Sequence, residues 1–245
     1  MNPGSSFWGE CLGTLVMIAF GNGVVAGTLL NRSKAQGAGW ISITAGWAVA
    51  VFSGVAVASS LGDRDAHLNP AVTLASVLVV GNARRLLVYL PAQLIGAFLG
   101  AALVWLHYKP HWRETESADL KFACFATAPA VRSFFWNFFS EALATFFLIL
   151  VASALFSKSV SPGGFPAGLG PLMVGALVWG VGLSFGGTTG YAINPVRDFG
   201  PRLAHSILPI AGKRSSDWPY AWIPILGPLT GSAAAAVVVR LLNVR

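Results

Sequence analysis

The stretch HLNPAVTLA, residues 67–75, and the related stretch GYAINPVRDFGP, residues 190–201, decide how this chain folds. Each holds an Asn-Pro pair followed by an apolar piece, over 69–80 and 194–207, that is too short to cross a membrane. Asn is a favoured helix N-cap and Pro is accepted at the first helical position, so Asn69-Pro70 and Asn194-Pro195 each predict the start of a short helix. Unpaired backbone groups before each Asn would be intolerable in lipid. We therefore expect two re-entrant half-helices that are buried in protein and face a water-filled path.

The composition around these stretches is that of an integral membrane protein. Of the 245 residues, 55% are hydrophobic and 10% are charged, whereas a soluble domain carries about 25% charged residues. A spanning helix needs roughly 20 mainly apolar residues. Six stretches qualify, over 7–30, 39–61, 86–108, 133–157, 169–185 and 220–242. The net charge of +7 comes from bases scattered through short loops, so it does not indicate nucleic-acid binding. We expect an all-α, multi-pass protein of the plasma or inner membrane, embedded in the lipid bilayer.

The chain also repeats itself. Glu10-Cys-Leu-Gly-Thr14 in the first span resembles Glu141-Ala-Leu-Ala-Thr145 in the fourth, and one Asn-Pro stretch follows each of them. Three spans per half is an odd number, so the second half must enter the membrane from the opposite face. This pattern is typical of an inverted-topology repeat. It predicts a single domain over 1–245, with a first half at 1–108, a connecting loop at 109–132 and a second half at 133–245.

The paired Asn-Pro stretches resemble the twin Asn-Pro-Ala signatures of the aquaporin, or major intrinsic protein, family, and the likeness covers nearly the whole chain. The resemblance implies six tilted helices around two half-helices that meet end to end, with one pore per subunit in a homotetramer. Asp198, Arg202 and Pro224-Ile225 also resemble the glycerol-facilitator branch. The implied function is a passive channel for glycerol and small uncharged solutes, with some water. Neither an enzymatic activity nor a cofactor or metal is expected.

Exclusion of charge at the midplane follows from the two half-helices. Each helix N-terminus carries about +0.5 of an elementary charge and unpaired N–H groups. Two such ends that face one another repel cations, including hydronium, which is the general explanation for aquaporin-type pores. The side-chain amides of Asn69 and Asn194 can donate to the oxygen of a passing neutral molecule. Such donation interrupts the hydrogen-bonded chain along which a proton would hop.

The resemblance places the narrowest constriction at four positions, namely Trp47, Gly182, Tyr191 and Arg197. Water-selective relatives typically have His where Gly182 stands and a small residue where Tyr191 stands, so the glycine predicts a wider pore. Trp47 and Tyr191 would form an apolar corner opposite the donors of Arg197. Such a slot suits a linear polyol, which has hydroxyls on one side and C–H groups on the other.

Glu10 and Glu141 are carboxylates inside predicted spans, which makes a proton relay one hypothesis. We favour a structural role, in which each accepts hydrogen bonds from backbone N–H groups just before a half-helix and turns the carbonyls there toward the pore. The residues expected to line the pore in this way are Asp65, Ala66, His67, Gly190 and Ala192. Pro70, Pro195 and Asp198 are expected to support the half-helices, and for Asp198 we expect an ion pair or a cap.

Four features depart from the family pattern. The second motif has Val196 in place of Ala, and Tyr191 replaces the more usual Phe. The stretch 62–67 reads GDRDAH where facilitators usually have Ser-Gly-Ala-His. Trp47 stands about two residues farther from Asn69 than the family spacing. The methyl groups of Val196 are expected either to tighten packing behind the half-helix or to alter the midplane. The Tyr191 hydroxyl is expected either to narrow the slot or to bind a solute oxygen, so the departures leave the choice of solute open.

Two alternative functions remain open from the sequence. The first is a channel selective for water or for another neutral solute, such as urea, ammonia or a metalloid acid. The second is an ion- or proton-coupled transporter, because inverted repeats with broken helices also build transporters. A membrane enzyme is disfavoured, since the sequence offers no nucleophile–base pair, metal-ligand spacing or phosphate-binding loop.

Overall fold

Six long helices form the framework of the computed structural model, which describes residues 3–63 and 65–244 and is all-helical over them. Each is long and apolar enough to cross a membrane. They are α1 (Pro3–Leu29), α2 (Gly39–Ser60), α4 (Arg84–His107), α7 (Phe134–Leu155), α8 (Leu169–Thr189) and α10 (Ile223–Leu241), the last preceded by a 3₁₀ turn at Trp218–Tyr220. The six predicted spans are confirmed. The described residues leave out Met1, Asn2, Arg64 and Arg245. Arg64 belongs to the stretch 62–67.

The fifth span is the one whose end differs most from the prediction. It was expected to end at Phe185, but α8 continues through two glycines to Thr189. A Cβ atom on Gly186 would lie 2.6 Å from the rings of both Trp40 and Tyr191. The glycine therefore permits the two rings to pack closely against the last turns of α8. The helix ends at Gly190, which has a φ of +85°.

Two shorter helices, α3 (Pro70–Val80) and α9 (Pro195–Ile207), are the predicted half-helices. The side-chain oxygen of Asn69 accepts from the Ala71 N–H at 2.8 Å, and that of Asn194 accepts from Val196 at 3.2 Å and Arg197 at 3.3 Å. Proline occupies the first turn of both helices. Because an Asn cap and a Pro at the first position are local signals, the starts of both helices lie where the sequence predicts them.

The connection over 109–132 holds more structure than the predicted loop. It contains α5 (His111–Glu114) and α6 (Ala118–Ala123). Its aromatic residues Trp112, Phe122 and Phe125 are almost completely buried, and the rings of Phe122 and Phe125 lie 5.2 and 5.4 Å from the His205 ring on α9. The connection therefore folds back onto the second half-helix, and burial of these apolar side chains stabilises the short helices.

Each half-helix packs against the third long helix of both halves. α3 contacts α10 and α4, and α9 contacts α4 and α10. The long helices themselves cross closely at glycines, since a Cβ on Gly96 of α4 would lie 2.2 Å from the Cys11 carbonyl oxygen of α1. At the matching place in the second half, a Cβ on Gly231 of α10 would lie 2.0 Å from the Ala142 oxygen of α7. These crossings bring the half-helices to the centre of the bundle.

Candidate functional site

The non-helical stretches before the half-helices are held by two buried glutamates. Glu10 on α1 accepts from the backbone N–H groups of His67 and Leu68, at 2.5 and 2.8 Å, and from the Gln93 side chain at 2.7 Å. Both Glu10 oxygens therefore act as acceptors within the fold. This is the arrangement expected from the sequence for a structural carboxylate.

Glu141 on α7 makes the same contacts in the second half. It accepts from the N–H groups of Ala192 and Ile193, at 2.9 and 3.0 Å, and from the Thr189 hydroxyl at 2.7 Å. The two N–H donors stand two and one residues before the Asn of the motif in both halves. The carboxylates therefore satisfy equivalent backbone groups that would otherwise be unpaired at membrane depth.

The backbone of these stretches is strained in a repeated pattern. Positive φ values occur three and one residues before each Asn, at Ala66 (+42°), Leu68 (+53°), Tyr191 (+38°) and Ile193 (+44°). A residue with a side chain in this conformation costs roughly 1–2 kcal/mol. The strain persists because the glutamates fix the neighbouring N–H groups. It also frees the carbonyls of the stretches from helical hydrogen bonding.

The two half-helices meet through their capping asparagines. The Asn69 amide nitrogen donates to the Ile193 carbonyl at 2.9 Å, and the Asn194 amide nitrogen donates to the Leu68 carbonyl at 2.9 Å. Each asparagine thus caps its own helix with its oxygen and binds the other half with its nitrogen. A side-chain amide has two N–H donors, so one donor of each asparagine is left for a molecule in the adjoining cavity.

A cavity of about 510 Å³ adjoins this meeting point. Its wall is mainly apolar, with Met17, Val51, Val55, Leu148 and Val178 among the lining side chains. Nine of the predicted site residues also line it: Trp47, Asp65, Ala66, His67, Asn69, Tyr191, Ala192, Asn194 and Arg197. The structure therefore brings the asparagines of both motifs and three of the four residues predicted for the constriction to one cavity.

Of the residues predicted to line the pore or form the constriction, Gly190 and Gly182 do not belong to the described wall of this cavity. Gly190 is the left-handed C-cap of α8 and faces the Thr127 side chain. Gly182 lies beneath the Tyr191 ring, where a Cβ would be 2.8–3.0 Å from the ring and its hydroxyl. The glycine therefore lets the Tyr191 ring lie against α8, in the space that a side chain at residue 182 would occupy. The wider pore expected from Gly182 stays a prediction.

Trp47 and Arg197 face one another at the cavity. The guanidinium carbon of Arg197 lies 4.3 Å from the centroid of the Trp47 ring, a distance at which a cation is attracted to the ring face. Trp47 rests on Gly21 of α1, where a Cβ would come within 2.3 Å of the ring. The Trp47 side chain therefore contacts Arg197 despite the longer spacing between Trp47 and the first motif.

Several contributors to the site were missed by the sequence reasoning. The Trp40 ring meets the Tyr191 ring edge to face at 5.7 Å, and its indole N–H donates to the Gly182 carbonyl at 3.2 Å. Gly21 and Gly186 have no side chain, which leaves room for aromatic rings. The Trp47 ring packs on Gly21, and the rings of Trp40 and Tyr191 pack on Gly186. The spacing of Gly182 and Gly186, one helical turn apart on α8, was the signal that a ring lies across this face.

Asp198 and Arg202 form a buried ion pair within α9. Arg202 Nε donates to Asp198 at 2.7 Å, and both side chains are completely buried. Asp198 also accepts from the Thr127 N–H and hydroxyl, at 2.8 and 2.7 Å, while Arg202 donates to the Ser216 carbonyl at 2.7 Å. The ion pair that we expected for Asp198 is present, and it ties the second half-helix to the connection over 109–132 and to the segment between α9 and α10.

The unusual stretch 62–67, before the first half-helix, forms an ion pair with α4. Asp65 pairs with Arg85 at 2.6 Å, and Arg85 also donates to the Ser76 hydroxyl at 2.6 Å. His67 contacts the Thr73 hydroxyl through Nδ1 at 3.1 Å. The sequence did not indicate a partner for Asp65. This ion pair joins the stretch before α3 to α4 at the wall of the cavity.

Val196, the departure in the second motif, is buried in the apolar core and is not part of the described cavity wall. Its additional methyl groups therefore pack behind the half-helix and do not narrow the passage.

Comparison with known proteins identifies relatives along nearly the whole chain. The family model described as "Major intrinsic protein" matches residues 4–239. The chain is 51% identical to the glycerol uptake facilitator protein 3 of Lactiplantibacillus plantarum, over 96% of this chain and 95% of the relative. It is 49% identical to the glycerol uptake facilitator protein of Streptococcus pneumoniae R6, over 97% and 99% of the two chains.

A solved structure gives the same fold. The aquaglyceroporin of Plasmodium falciparum superposes with a TM-score of 0.85 at 28% identity, and the alignment covers 100% of both chains.

Proposed function

The chain belongs to the major intrinsic protein family, and from this premise we propose that it is a passive channel of the cell membrane for glycerol and other small uncharged solutes. Some water accompanies the solutes, whereas protons and ions are excluded. Its relatives, which include glycerol uptake facilitators of two bacteria and an aquaglyceroporin, support this choice of solute.

The observation that carries the proposal is the reciprocal pair of asparagine hydrogen bonds beside the cavity. They hold two helix N-termini against each other, each with a positive dipole end. A cation in this region meets positive potential from both sides, while a neutral solute receives the free amide donors. The arrangement favours neutral solutes over charged ones.

The constriction supports a polyol in particular. Trp47 and Tyr191 present aromatic surfaces, and Arg197 presents a guanidinium that is buried beside Trp47. A glycerol molecule can turn its C–H groups to the rings and its hydroxyls to the guanidinium. The five N–H donors of an arginine are arranged to hold two neighbouring oxygens at once.

The organisation of the whole chain is part of the same proposal. Residues 1–108 and 133–245 form two inverted halves joined by 109–132, and the matching contacts of Glu10 and Glu141 support this division. Four subunits assemble, each with its own pore, and each is surrounded by lipid on its remaining apolar faces. The channel has no enzymatic activity and needs no cofactor.

Stopped-flow light scattering on proteoliposomes tests the proposed function. After an inward glycerol gradient, vesicles with the channel should reswell much faster than protein-free vesicles. A fast water phase without accelerated glycerol entry would instead identify a water channel. The same vesicles under gradients of urea or of a metalloid acid would identify the other neutral-solute alternatives.

A further inference from the structure

The cavity has a second end, away from the predicted constriction, which we call the Asp65 mouth. Four residues form the wall there, one each from α2, α3, the end of α7 and the stretch before α3: Ser59, Ser76, Phe156 and Asp65. Ser59 stands about 18 Å from Trp47 along α2, at about 1.5 Å per residue. The cavity therefore reaches from the predicted constriction to the face of the bundle where α2 and α7 end.

Asp65 brings a carboxylate to this mouth. It is the one acidic side chain in the described cavity wall, whereas Glu10 and Glu141 are buried outside that wall. The exposed fraction of the Asp65 side chain is 31%, so a molecule in the mouth can reach its oxygens. A carboxylate has about four acceptor positions. The single ion pair with Arg85 therefore leaves acceptor positions for a solute.

Arg85 of α4 holds this carboxylate from outside the described cavity wall. Its Nη2 lies 2.6 Å from Asp65 Oδ2, and its Nη1 donates to the Ser76 hydroxyl at 2.6 Å. The exposed fraction of the Arg85 side chain is only 13%, so the guanidinium has little freedom to move. One arginine thus fixes two polar groups of the mouth. A fixed acceptor binds a solute at a lower entropic cost than a mobile one.

The two ends of the cavity offer opposite hydrogen-bonding groups. The guanidinium of Arg197 only donates, whereas the carboxylate of Asp65 only accepts. The wall between them is mainly apolar, with Val51, Val55 and Val178 among its side chains. A neutral solute that enters at the Asp65 mouth loses part of its hydration there, which costs free energy unless new partners replace the water. The carboxylate supplies such a partner for the O–H or N–H groups of the solute.

We propose that Asp65, held by Arg85, is a solute-binding site at this mouth for small neutral molecules that carry two neighbouring hydrogen-bond donors. Two O–H or N–H groups on adjacent atoms match the two oxygens of one carboxylate. The ion pair balances the charge of Asp65, so the site binds neutral solutes without concentrating cations. The inference rests on the proposed function and adds to it a second solute contact, at a residue where this chain departs from the usual facilitator sequence.

The test measures how transport saturates from each side, in vesicles that hold the channel in one orientation. Glycerol is the probe, and its initial rate is followed at rising concentration on one side with none on the other. In Asp65→Asn, transport that starts at the Asp65 mouth should need about a 3- to 10-fold higher glycerol concentration for its half-maximal rate, because a charge-assisted hydrogen bond at a partly exposed site is lost. The maximal rate should rise with it, since a solute that is held less firmly leaves sooner.

This paired rise distinguishes a binding site from a merely structural residue. Damage to the passage would lower the maximal rate in both directions, and that result, or an unchanged half-saturating concentration, would overturn the inference. Asp65→Gly introduces the residue that facilitators usually have at this position. It should show the same paired rise, so the inference can be tested even where the Asn variant does not fold.

Glu114→Gln is the matched control. Glu114 also pairs with an arginine, Arg32, at 2.9 Å, but it lies near the other end of α4 and is not part of the described cavity wall. Its substitution should leave the saturation of glycerol transport as it is in the parent channel, and an equal shift in both variants contradicts a specific role for Asp65. Fast glycerol transport that Asp65 does not affect rejects the site alone. Absence of channel-mediated glycerol transport in the parent rejects the proposed function as well.

Discussion

Arg197 contributes its main chain to the fold and its side chain to the cavity. Its main-chain N–H completes the cap of α9, while its guanidinium lies over Trp47 and keeps a buried Nη1 unpartnered among the described residues. A guanidinium at membrane depth costs about 2.5–3.5 kcal/mol on insertion scales. Asp198, one residue farther on, is used entirely by Arg202 and Thr127. The two neighbouring charges therefore have separate roles, one at the cavity and one in the framework.

Replacement of Arg197 by Val should keep the protein folded and remove discrimination among solutes. The positive charge at the constriction disappears, so small cations should gain a measurable conductance while glycerol still passes. Planar-bilayer conductance and vesicle swelling measure the two effects. If the variant is as selective as the parent channel, Arg197 does not act as a filter.

The pairing of Gly182 with Tyr191 leads to a second prediction. A methyl group at residue 182 would lie within 3.0 Å of the Tyr191 ring and push that ring toward the cavity. Gly182→Ala should therefore reduce glycerol permeability several-fold and affect water less. Gly180→Ala on the same helix is the control, since a Cβ there meets nothing within 4 Å. Unchanged glycerol entry in Gly182→Ala would show that the passage does not run beside this ring.

At the scale of the elements, the half-helices are stabilised at both ends. Their N-termini meet through the two asparagines. At the other end of α9, Lys213 donates to the carbonyls of His205, Ser206 and Leu208, at 2.7, 2.9 and 2.8 Å. At the end of α3, Arg240 donates to the Leu78 carbonyl at 3.2 Å. A cation at a helix C-terminus is favourable, so both half-helices are matched to the charge of their ends.

The close helix crossings can be tested by a single methyl group. A Cβ at Gly231 would lie 2.0 Å from the Ala142 carbonyl oxygen, so Gly231→Ala forces α10 away from α7. Overpacking of this kind costs roughly 1–3 kcal/mol, and thermal unfolding in detergent should begin at a lower temperature. Gly23→Ala on α1, where a Cβ meets nothing within 4 Å, should leave the unfolding temperature unchanged. Equal stability of both variants would mean that the crossing can relax at no cost.

How far the sequence predicts each element depends on how local its cause is. Both half-helices begin as predicted, because Asn69 and Asn194 are caps that act within three residues. The end of α8 was missed, since glycines and threonines at 186–189 are typical of a turn, whereas Gly186 belongs to the helix and packs against the rings of Trp40 and Tyr191. The short helices of the connection were missed for the same reason, because Phe122 is buried against His205 far along the chain.

The site divides in the same way. The residues of the two motifs and their glutamate partners were predictable, because the repeat places Glu10 and Glu141 at equivalent positions. The Asp65–Arg85 pair was not predicted, since it depends on where α4 starts relative to the loop. The packing of the Tyr191 ring was not predicted either. It depends on Trp40, which binds the Gly182 carbonyl of α8, 142 positions later in the chain. Residue types alone do not show which separate elements come into contact, and these contacts are the part of the site that was not predicted.

For the whole molecule, the main question is whether it moves solute down a gradient or couples it to an ion. Coupling through a carboxylate needs a group that can change its exposure and its partners. Glu10 and Glu141 are both buried, and each binds two backbone N–H groups of a strained stretch. They hold the structure in place. The structure therefore favours passive conduction over proton coupling.

This view predicts that glycerol entry into vesicles is the same with and without a pH gradient. An uncoupler that collapses the gradient should not change the initial rate, and the solute should never accumulate above its outside concentration. Uptake that stops when the gradient is removed would favour the coupled transporter. The parent channel suffices for this measurement, so no variant has to fold.

The asparagine bonds also determine the order in which the protein can be completed during synthesis. Asn69 reaches a carbonyl 124 positions later in the chain, and Asn194 reaches one 126 positions earlier. When the ribosome has released only the first three spans, the Leu68 carbonyl has no Asn194 to bind it. The first half therefore lacks both of these hydrogen bonds until nearly the whole chain has been made. Closure of the passage to ions is accordingly one of the last events in the folding of the chain.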